Sequence, residues 1–305
     1  MANNISYAAI FQPALDEQMV QALTSGWMEL NAGMVKYNGG NEIKIPKIVM
    51  DGMADYDRVN GFVAGGVTLS WETKQMTMDR GRTFSIDAMD VDESNFIVAA
   101  GAVMGEFQRT KVIPEIDAYR YSAIATLAIA ASKNENYTVA TASILAKLKA
   151  HIALVQDIVG ENEPLIITMS FTAANTLDLA DNVTKQLQVM DFAQGGIALK
   201  VKSIDGIPII RVPSTRLKTA FVFNDGTTSG QTAGGFVADD DAQDINWIIS
   251  ARRSVIAVSK TDKPRVFSPD INQGADAWKI DYRKYHDIWI PDNKMNGVYV
   301  CNKPA

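Results

Sequence analysis

The sequence predicts an α+β fold that combines helices with antiparallel strands. Two apolar patterns support this class: spacings of three and four residues, typical of helices, and alternation at every second residue, typical of strands. The middle of the chain has the order strand, helix, strand and hairpin, and residues 245–305 return to strand patterns. We expect these late strands to close a sheet that begins much earlier in the chain.

Composition and charge restrict the classes of function. The 305 residues are 47% hydrophobic and 21% charged, which is enough for one large or two moderate cores. The net charge of −6 includes no long block of either sign, so the sequence indicates no basic groove for base-specific nucleic-acid binding. No segment has the length and apolarity of a membrane span, and the N-terminus lacks the pattern of a secretion signal. We therefore expect synthesis in a reducing cytosol.

Residues suited to catalysis or metal binding are scarce. The two histidines, His151 and His286, would need unusual roles to form a triad or a zinc centre. We interpret both as structural residues and Cys301 as a small apolar filler that cannot form an internal disulfide. The acidic residues at 239–244 could bind calcium or magnesium, but they lack a metal-loop pattern and favour a solvated turn. We predict no enzyme activity, no metal site and no cofactor.

The first 38 residues have the pattern of an arm followed by an amphipathic helix. Pro13 suits a first helical turn. The apolar residues that follow recur at helical spacing: Leu15, Met19, Leu23, Trp27 and Leu30. This stripe belongs either to the chain's own core or to a contact with a neighbouring subunit. The first four of these residues are therefore candidates for a subunit interface.

Residues 39–88 have the pattern of a long β-hairpin with little core of its own. Apolar residues occupy every second position in two segments, at Ile43 and Ile45 and then at Val67, Leu69 and Trp71. A glycine-rich segment at 51–66 separates them. An isolated hairpin is marginally stable in water, so this one needs a covering surface on another copy or on its own domain. We also expect a turn at 79–82. The interface candidates in this region are Ile43, Ile45, Leu69, Trp71, Arg80 and Arg82.

A long helix between residues 90 and 131 is predicted to organise the rest of the chain. Its apolar residues Phe96, Ala100, Val103 and Phe107 form one stripe. Pro114 cannot donate the next helical hydrogen bond, which predicts a break or kink at 111–113 and a second helical segment after it.

The remaining segments carry local signals for their ends. A polar connector at 132–138 suggests a domain boundary. A helix is then expected from the N-cap Thr141 to Gly160, and a short helix with Thr172 as its cap. Asp205-Gly206 predicts a hairpin turn, 224–235 a flexible loop, and turns are expected at 262–264, 270–274 and 291–293.

The order of these parts resembles the major capsid protein of tailed bacteriophages, whose fold is named after phage HK97. The resemblance rests on the hairpin from Gly39 to Asp87, the helices of ESNFIVAAGAVMGEFQRTKVIPEIDAYRYSAIA, the SIDGIPIIRVP hairpin, and the tail from ARRSVIAVSK through YRKYHDIWIPDNKMNGVYV. It covers nearly the whole chain and concerns arrangement and local phrases.

The resemblance implies five parts. These are an N-terminal arm at 1–38, an extended loop at 39–88, a spine helix with the first part of a peripheral domain at 89–134, an axial domain at 135–244, and the second part of the peripheral domain at 245–305.

The resemblance also implies partners and a location. Hexamers and pentamers of the chain would form an icosahedral shell around double-stranded DNA, without sequence-specific binding. A scaffolding protein and a portal are the further partners, and no membrane is involved. The chain would be assembled in the cytoplasm of a bacterial host and located in the virion.

Two features of the family are absent from the sequence pattern. Only 38 residues precede the hairpin, so we expect a separate scaffolding protein or none. Some members join a hairpin lysine to an asparagine of a neighbour. Lys44, Lys47 and Lys74 are available here, but nothing in the sequence selects one, and we predict no crosslink.

Two alternatives remain open. An encapsulin-like bacterial compartment would use the same fold but would contain protein. A metal-dependent cytosolic enzyme would use the acidic residues at 239–244.

Overall fold

The structure, a computed structural model, describes residues 23–34, 36–37, 41–87, 104–180, 187–194 and 197–304. Two interface candidates, Leu15 and Met19, lie outside these residues, and so does the first part of the predicted long helix.

A short helix and four strands form the N-terminal part of the described chain. The helix, Gly26–Met34, is of the 3-10 type and lies where the amphipathic pattern predicts the last turns of an α-helix. Glycine is a poor residue for an α-helix, and Gly26 begins this one. The strands are β1 (Lys36–Tyr37), β2 (Glu42–Met50), β3 (Val67–Gln75) and β4 (Met78–Asp87).

The remaining elements alternate helices with strands and then end in strands. The central elements are α1 (Ile113–Ala130), β5 (Asn134–Asn136), α2 (Ile144–Val159), β6 (Leu165–Ser170), α3 (Phe171–Asp178), β7 (Leu187–Gln194), β8 (Ile197–Ile204), β9 (Ile207–Val212), a 3-10 turn (Ser214–Arg216), β10 (Phe221–Phe223) and β11 (Phe236–Ala238). The last elements are β12 (Ile245–Ala251), β13 (Ile256–Phe267), β14 (Ala277–Trp289), a 3-10 turn (Asp292–Gly297) and β15 (Val298–Asn302).

Within the described residues these strands form four sheets. The largest has the order β5-β15-β12-β6-β9-β8-β7, with parallel pairs only at β5-β15 and β6-β9. The others are β13-β14-β4, β1-β2-β3 and β10-β11. The late strands β12 and β15 complete a sheet that contains β6, and β14 pairs with β4, so the predicted return of the chain is confirmed.

The largest sheet is covered on both faces. Ile166 and Ile248 pack with Tyr121 and Ile124 of α1, whereas their neighbours Ile167 and Ile249 pack with residues of α2 and α3. Successive strand residues point to opposite faces, so a strand covered on both sides is apolar throughout. This is why all six residues of β6 are buried, as its continuous apolar pattern predicts.

The helix that leads into α1 does not break before Pro114. Residues 104–107 are α-helical, Gln108–Val112 form a π-helical turn, and α1 continues from Ile113. The N–H of Ile113 donates to the carbonyl of Gln108, five residues earlier. The second helical segment is confirmed, since α1 begins at Ile113 beside Pro114, and the irregularity expected at 111–113 is a π-helical turn instead of a complete break.

Two predicted turns lie inside strands. Residues 79–82 belong to β4, where Gly81 pairs with Arg283, and residues 262–264 belong to β13. At Gly81 a Cβ would lie 2.8 Å from the carbonyl oxygen of Tyr282, so this glycine permits a close approach between strands and makes no turn. Both segments pair with β14, which lies about two hundred residues after β4 but is the next strand after β13.

The helix ends were predicted better at the C-terminus than at the N-terminus. Gly160 ends α2 with a φ of +85°, as expected. The cap positions are Ser143 and Ser170 instead of Thr141 and Thr172, and the Ser170 hydroxyl accepts from the N–H of Ala173 at 3.2 Å. The connector at 132–138 contains the edge strand β5.

The hairpin turn at Asp205-Gly206 is confirmed. Both residues have positive φ, 52° and 77°, which suits the tight turn between β8 and β9.

A buried carboxylate anchors the N-terminal segment to α1. Asp117 is fully buried and accepts hydrogen bonds from the N–H and hydroxyl of Thr24 at 3.3 and 2.7 Å, from the N–H of Ser25 at 3.1 Å and from Arg216 at 3.3 Å. The next polar residue on α1, Arg120, is also fully buried and binds Ser25 and Glu29. These contacts hold residues 24–29 against the helix and place Trp27 in the core.

We predict that Asp117→Asn destabilises the folded chain by roughly 3–5 kcal/mol, because four donors lose their charged acceptor in a buried site. The measurement is the urea midpoint of the unassembled chain. Asp157→Asn, at an exposed position of α2, is the control and should leave the midpoint nearly unchanged. Equal midpoints for the two variants would contradict the anchoring role.

We predict that Gly81→Ala lowers the free energy of unfolding by about 1–3 kcal/mol, since its Cβ would displace the backbone of β14. Gly33→Ala is the matched control, because a Cβ at Gly33 has no atom within 4 Å. An unchanged denaturation midpoint for Gly81→Ala would contradict the prediction, because it would mean that β4 and β14 can move apart to make room for the Cβ without loss of stability.

Candidate assembly surfaces

The hairpin of β2 and β3 projects from the body as a ribbon, which we define as residues 42–75. Its two strands pair over their full length, from Glu42 with Gln75 to Met50 with Val67. At its base Ile43 and Ile45 are buried against Ile256, Val258 and Trp289. The predicted hairpin is thus confirmed, and its base is covered by the chain itself.

One carboxylate fixes the base of the ribbon. Asp287 of β14 is buried and accepts from the N–H and hydroxyl of Thr77 at 2.7 and 3.0 Å, and from the hydroxyl of Tyr119 at 2.5 Å. Thr77 is one of the two residues between β3 and β4, and Tyr119 lies on α1. Burial and the neighbouring Asp287 raise the pKa of Tyr119, so its hydroxyl stays protonated and can donate. Asp287 therefore holds three elements together where the ribbon leaves the body.

Beyond its base, the ribbon exposes most of its apolar side chains on one face, opposite the face that carries Ile43 and Ile45. Ile48, Val49 and Met50 are 53–68% exposed, and the opposite strand exposes Val67, Leu69 and Trp71. The expected single covered face exists only near Ile43 and Ile45. A chain in isolation thus leaves a large apolar surface in water, which marks an interaction site.

The ribbon tip, residues 51–66, is structured by its own contacts. The Asp57 carboxylate accepts from the N–H of Val59 at 2.8 Å and also binds Asn60, and the Val59 hydrogen bond lowers the pKa of Asp57. Gly61, with a φ of +81°, pairs with Asp57. The rings of Tyr56 and Phe62 meet edge to face at 4.8 Å, although Phe62 is 90% exposed. The tip is therefore an apolar turn with internal contacts, whereas the sequence predicts only a glycine-rich connection at these residues.

Charged residues link the ribbon to the body near its base. The ammonium group of Lys47 lies 3.4 Å from Asp292 of the body and 3.9 Å from Glu72 of the opposite strand. Lys74 lies 3.8 Å from the same Glu72. Such partly exposed pairs contribute little to stability, and they orient the ribbon more than they hold it.

Arg80 and Arg82 bind the chain's own loop at 224–235. Arg80 donates to Glu115 at 2.7 Å and to the carbonyls of Asn224 and Gly235, and Arg82 donates to the carbonyl of Thr232. A Cβ at Gly226 or at Gly234 would lie 3.1 or 3.3 Å from the Arg82 guanidinium, so the glycines let the loop approach it closely. The loop predicted as flexible is held to β4 by these two arginines.

The described interface candidates fall into three groups. Leu23, Trp27, Ile43 and Ile45 are buried by their own chain and need no neighbouring subunit for that burial. Leu69 and Trp71 are exposed on the ribbon, 58% and 43%. Arg80 and Arg82 are engaged with the loop. Exposed ribbon residues outside the predicted candidates include Ile48, Met53, Val59 and Phe62. The local pattern of apolar residues among glycines and aspartates could have indicated the last three.

A cavity of about 460 Å³ lies between β4, β14, the helix around residues 107–116 and the loop at 224–235. Phe84, Phe107 and Tyr282 form its aromatic wall, with ring centroids 4.9 and 6.1 Å apart. His286 also lines it, is 2% exposed, and has no hydrogen-bond partner at its Nδ1. Burial and the nearby cations lower the pKa of His286, so the ring is neutral.

His151 and Cys301 are packed residues. His151 is 1% exposed, its Nε2 lies 2.8 Å from Glu135, and its Nδ1 accepts from the indole N–H of Trp247 at 3.2 Å. Cys301 is buried, and burial raises the pKa of its thiol to about 12. The structural interpretation is confirmed for both residues. It is not for His286, whose Nδ1 lacks the expected hydrogen bond.

Two of the acidic residues at 239–244, Asp239 and Asp244, bind groups of their own chain. Asp244 lies 2.5 Å from the ammonium group of Lys218, and Asp239 accepts from the N–H of Asp241. Among the described residues, no three acidic, histidine or cysteine side chains are grouped so that they could hold a metal ion. The helices of the described part are also too short or too polar to cross a membrane.

No protein-family model and no curated protein sequence matches the chain. Solved structures match it over most of its length. The structure from Gordonia phage Cozz has a TM-score of 0.56 and 14% identity, and the match covers 86% of this chain and 81% of that chain. The structure of the mature capsid of bacteriophage PhiM1 has a TM-score of 0.51 and 13% identity, and the match covers 87% of this chain and 83% of that chain.

A virus-like particle from Pyrococcus furiosus matches with a TM-score of 0.52 and 10% identity, over 99% of this chain and 100% of that chain. At such identities the similarity is one of fold. The chain has the α+β fold of these phage and particle proteins, and the predicted HK97-like fold class is confirmed.

Proposed function

We propose that the chain is the major capsid protein of a tailed bacteriophage, a structural protein that self-assembles into an icosahedral shell around double-stranded DNA. The ribbon carries this proposal. It is held at Asp287 and Ile43, yet its outer half exposes a row of apolar residues, mostly on one face. Burying such residues stabilises an assembly by about 1.5–3 kcal/mol for each large side chain. A neighbouring copy is the surface that supplies this burial.

The parts of the fold take the roles that the resemblance implies. Residues 1–38 are the N-terminal arm and residues 39–88 the extended loop. The spine helix and the first part of the peripheral domain occupy 89–134, the axial domain 135–244, and the rest of the peripheral domain 245–305. The pairing of β14 with β4 supports the division of the peripheral domain between two parts of the sequence. One sheet is shared by the two proposed domains, since β6 of the axial domain pairs with β12, which lies after the boundary at 244–245.

The interior of the shell would contain DNA without gripping it. The net charge of −6 supports confinement over a basic binding surface. We propose a portal and a separate scaffolding protein as further partners, assembly in the cytoplasm of a bacterial host, and no crosslink between subunits. The proposal assigns the chain no catalytic activity.

One observation favours a second candidate function. The match to the Pyrococcus furiosus virus-like particle extends over 99% of the chain. An encapsulin-like bacterial compartment, a closed shell that contains protein, would need the same ribbon and the same sheets. The contents of the particle distinguish the two functions.

The proposed function is tested by expressing the chain and analysing it by sedimentation and electron microscopy. We expect closed megadalton particles that persist in a metal chelator. Particles that contain DNA support the capsid, and particles with one cellular protein at a fixed ratio support the compartment. Empty particles support a closed shell, the property that both functions share. A monomer with its ribbon folded against its own body would refute both.

We predict that Val67→Glu prevents or strongly weakens assembly without unfolding the subunit. Val67 is 71% exposed, so the chain tolerates a carboxylate there, whereas a contact with a neighbour does not. The critical concentration for assembly should rise about 10- to 100-fold, the equivalent of one lost apolar contact per copy. Sedimentation measures it, and circular dichroism checks the fold.

Val189→Glu is the matched control, because Val189 on β7 is also 71% exposed but lies outside the ribbon. It should shift the critical concentration much less than Val67→Glu does. If Val67→Glu assembles at the concentration of the unaltered chain, the ribbon does not carry the contact between copies.

A further inference from the structure

We propose that the cavity between β4, β14, the helix at 107–116 and the 224–235 loop binds a small aromatic anion, such as a nucleoside monophosphate. This inference goes beyond the proposed function, because a shell requires no small ligand and the site lies within a single copy of the chain. It rests on the shape of the cavity, its aromatic wall, the charges at its rim and one unpaired polar atom at its floor.

The cavity has a buried floor and an exposed rim. Its volume of about 460 Å³ lies within the range of about 300–1,000 Å³ typical of small-molecule sites. Tyr282 and His286 lie on one face of β14 and form the floor, where they are only 3% and 2% exposed. Arg82 and Lys111, by contrast, line the cavity from exposed positions. A ligand would therefore bury its ring at the floor and keep its charged group near water.

Three aromatic rings form one wall of the cavity. The ring centroid of Phe107 lies 4.9 Å from that of Phe84 and 6.1 Å from that of Tyr282, and both pairs meet edge to face at 74°. Rings in this arrangement offer faces and edges to a further aromatic ring, and such contacts are more favourable than the buried area alone implies. The wall therefore favours a flat aromatic ligand over an aliphatic one.

Each of two rim cations adjoins an aromatic residue of this wall. Arg82 and Phe84 are alternate residues of β4, so their side chains lie on one face of the strand, about 7 Å apart. Lys111 follows Phe107 by one turn along the helix. A molecule that joins an aromatic ring to a phosphate or carboxylate would therefore contact the wall and a cation at the same time.

Three carboxylates also line the cavity, but the charge that remains after ion pairing is positive. The ion pairs at the cavity are Asp79 with Arg283, Glu115 with Arg80, and Asp262 with Lys284. The third lining carboxylate, Asp225, accepts from the N–H groups of Thr227 and Thr228, both at 2.8 Å. Within the described part of the chain, Arg82 and Lys111 have no carboxylate within ion-pair distance. Two cations thus face one carboxylate that is already satisfied by its own loop, which favours an anionic ligand.

One polar atom at the floor lacks a partner. The Nδ1 of His286 is buried and makes no hydrogen bond within the described chain, although buried polar atoms normally make one. Because the ring is neutral, one of its nitrogens donates and the other accepts. A heteroaromatic ring such as a nucleobase carries donors and acceptors on its edge, so it suits either tautomer. This feature favours a heteroaromatic ligand over a hydrocarbon ring.

Equilibrium dialysis of the purified chain against labelled adenosine monophosphate tests the site. We expect saturable binding of about one molecule per chain, since such pockets are few in a protein. Adenosine and inorganic phosphate should each bind roughly 10-fold more weakly, because each carries only one part of the recognised chemistry. An absence of saturable binding, or phosphate that binds as tightly as the nucleotide, would overturn the proposal.

Substitutions at the rim test the role of the two cations. Arg82→Gln and Lys111→Gln should each lower the affinity for adenosine monophosphate about 10-fold, since each removes a charged hydrogen-bond donor. Both positions are exposed, so circular dichroism should show an unchanged fold. Arg58→Gln and Lys303→Gln remove the same charges at exposed positions outside the cavity and should leave the affinity unchanged. Binding that survives both rim substitutions, or that weakens equally in the controls, would refute the site.

Photolabelling with azidoadenosine monophosphate locates the ring of the ligand. We expect the label on peptides that contain Phe84, Phe107 or Tyr282, and an excess of unlabelled nucleotide should prevent it. A label confined to other peptides would place the nucleotide outside the cavity and overturn the assignment. Particle formation is measured separately, so the ligand site and the proposed function can fail independently.

Discussion

The buried carboxylate of Asp287 is the contact on which the arrangement of the molecule depends. It binds Thr77 at the junction of β3 and β4, Tyr119 on α1, and its own strand β14. A buried charge is stable only when hydrogen-bond donors surround it. If these elements separated, the carboxylate would lose its donors while it remained buried. The ribbon therefore leaves the body at a fixed point. Below that point Ile43 and Ile45 are covered by the core, and above it no surface of the described chain covers the ribbon.

This division explains why the fold is complete in the body and incomplete in the ribbon. Both faces of the largest sheet are covered, by α1 on one side and by α2 and α3 on the other, whereas both faces of the outer ribbon are open. Exposed apolar strands are commonly selected against, because unpaired backbone groups at a sheet edge and exposed apolar side chains promote aggregation. Their retention on a well-anchored hairpin with an ordered tip is consistent with a surface that is covered after synthesis.

Features set by neighbours in the sequence could be predicted, and features set by distant partners could not. The Asp205-Gly206 turn, the Gly160 terminus and the apolar strand β6 follow from local conformation and periodicity. Gly81 was misread as a turn because its neighbour is β14, some two hundred residues later, and a single sequence does not show such pairings. For the same reason the contacts of Arg80 and Arg82 with the 224–235 loop could not be predicted, and their place at a subunit interface stays a prediction. The exposure of Leu69 and Trp71 follows from the absence of any core beyond Pro46.

In the proposed shell, a contact between the ribbon of one copy and the body of the next would join two different surfaces of one chain, so each copy would donate once and receive once. Such heterologous contacts form closed rings or shells when the rotation between copies is correct, and open filaments when it is not. That rotation depends on the direction in which the ribbon leaves the body, which Asp287 and Thr77 determine at one end and the Lys47–Asp292 pair adjusts further out. The affinity of the contact and the geometry of the assembly thus reside in different residues. In the proposed assembly the exposed apolar residues of the ribbon would supply the free energy of association, and the polar junction at its base would decide whether that association closes.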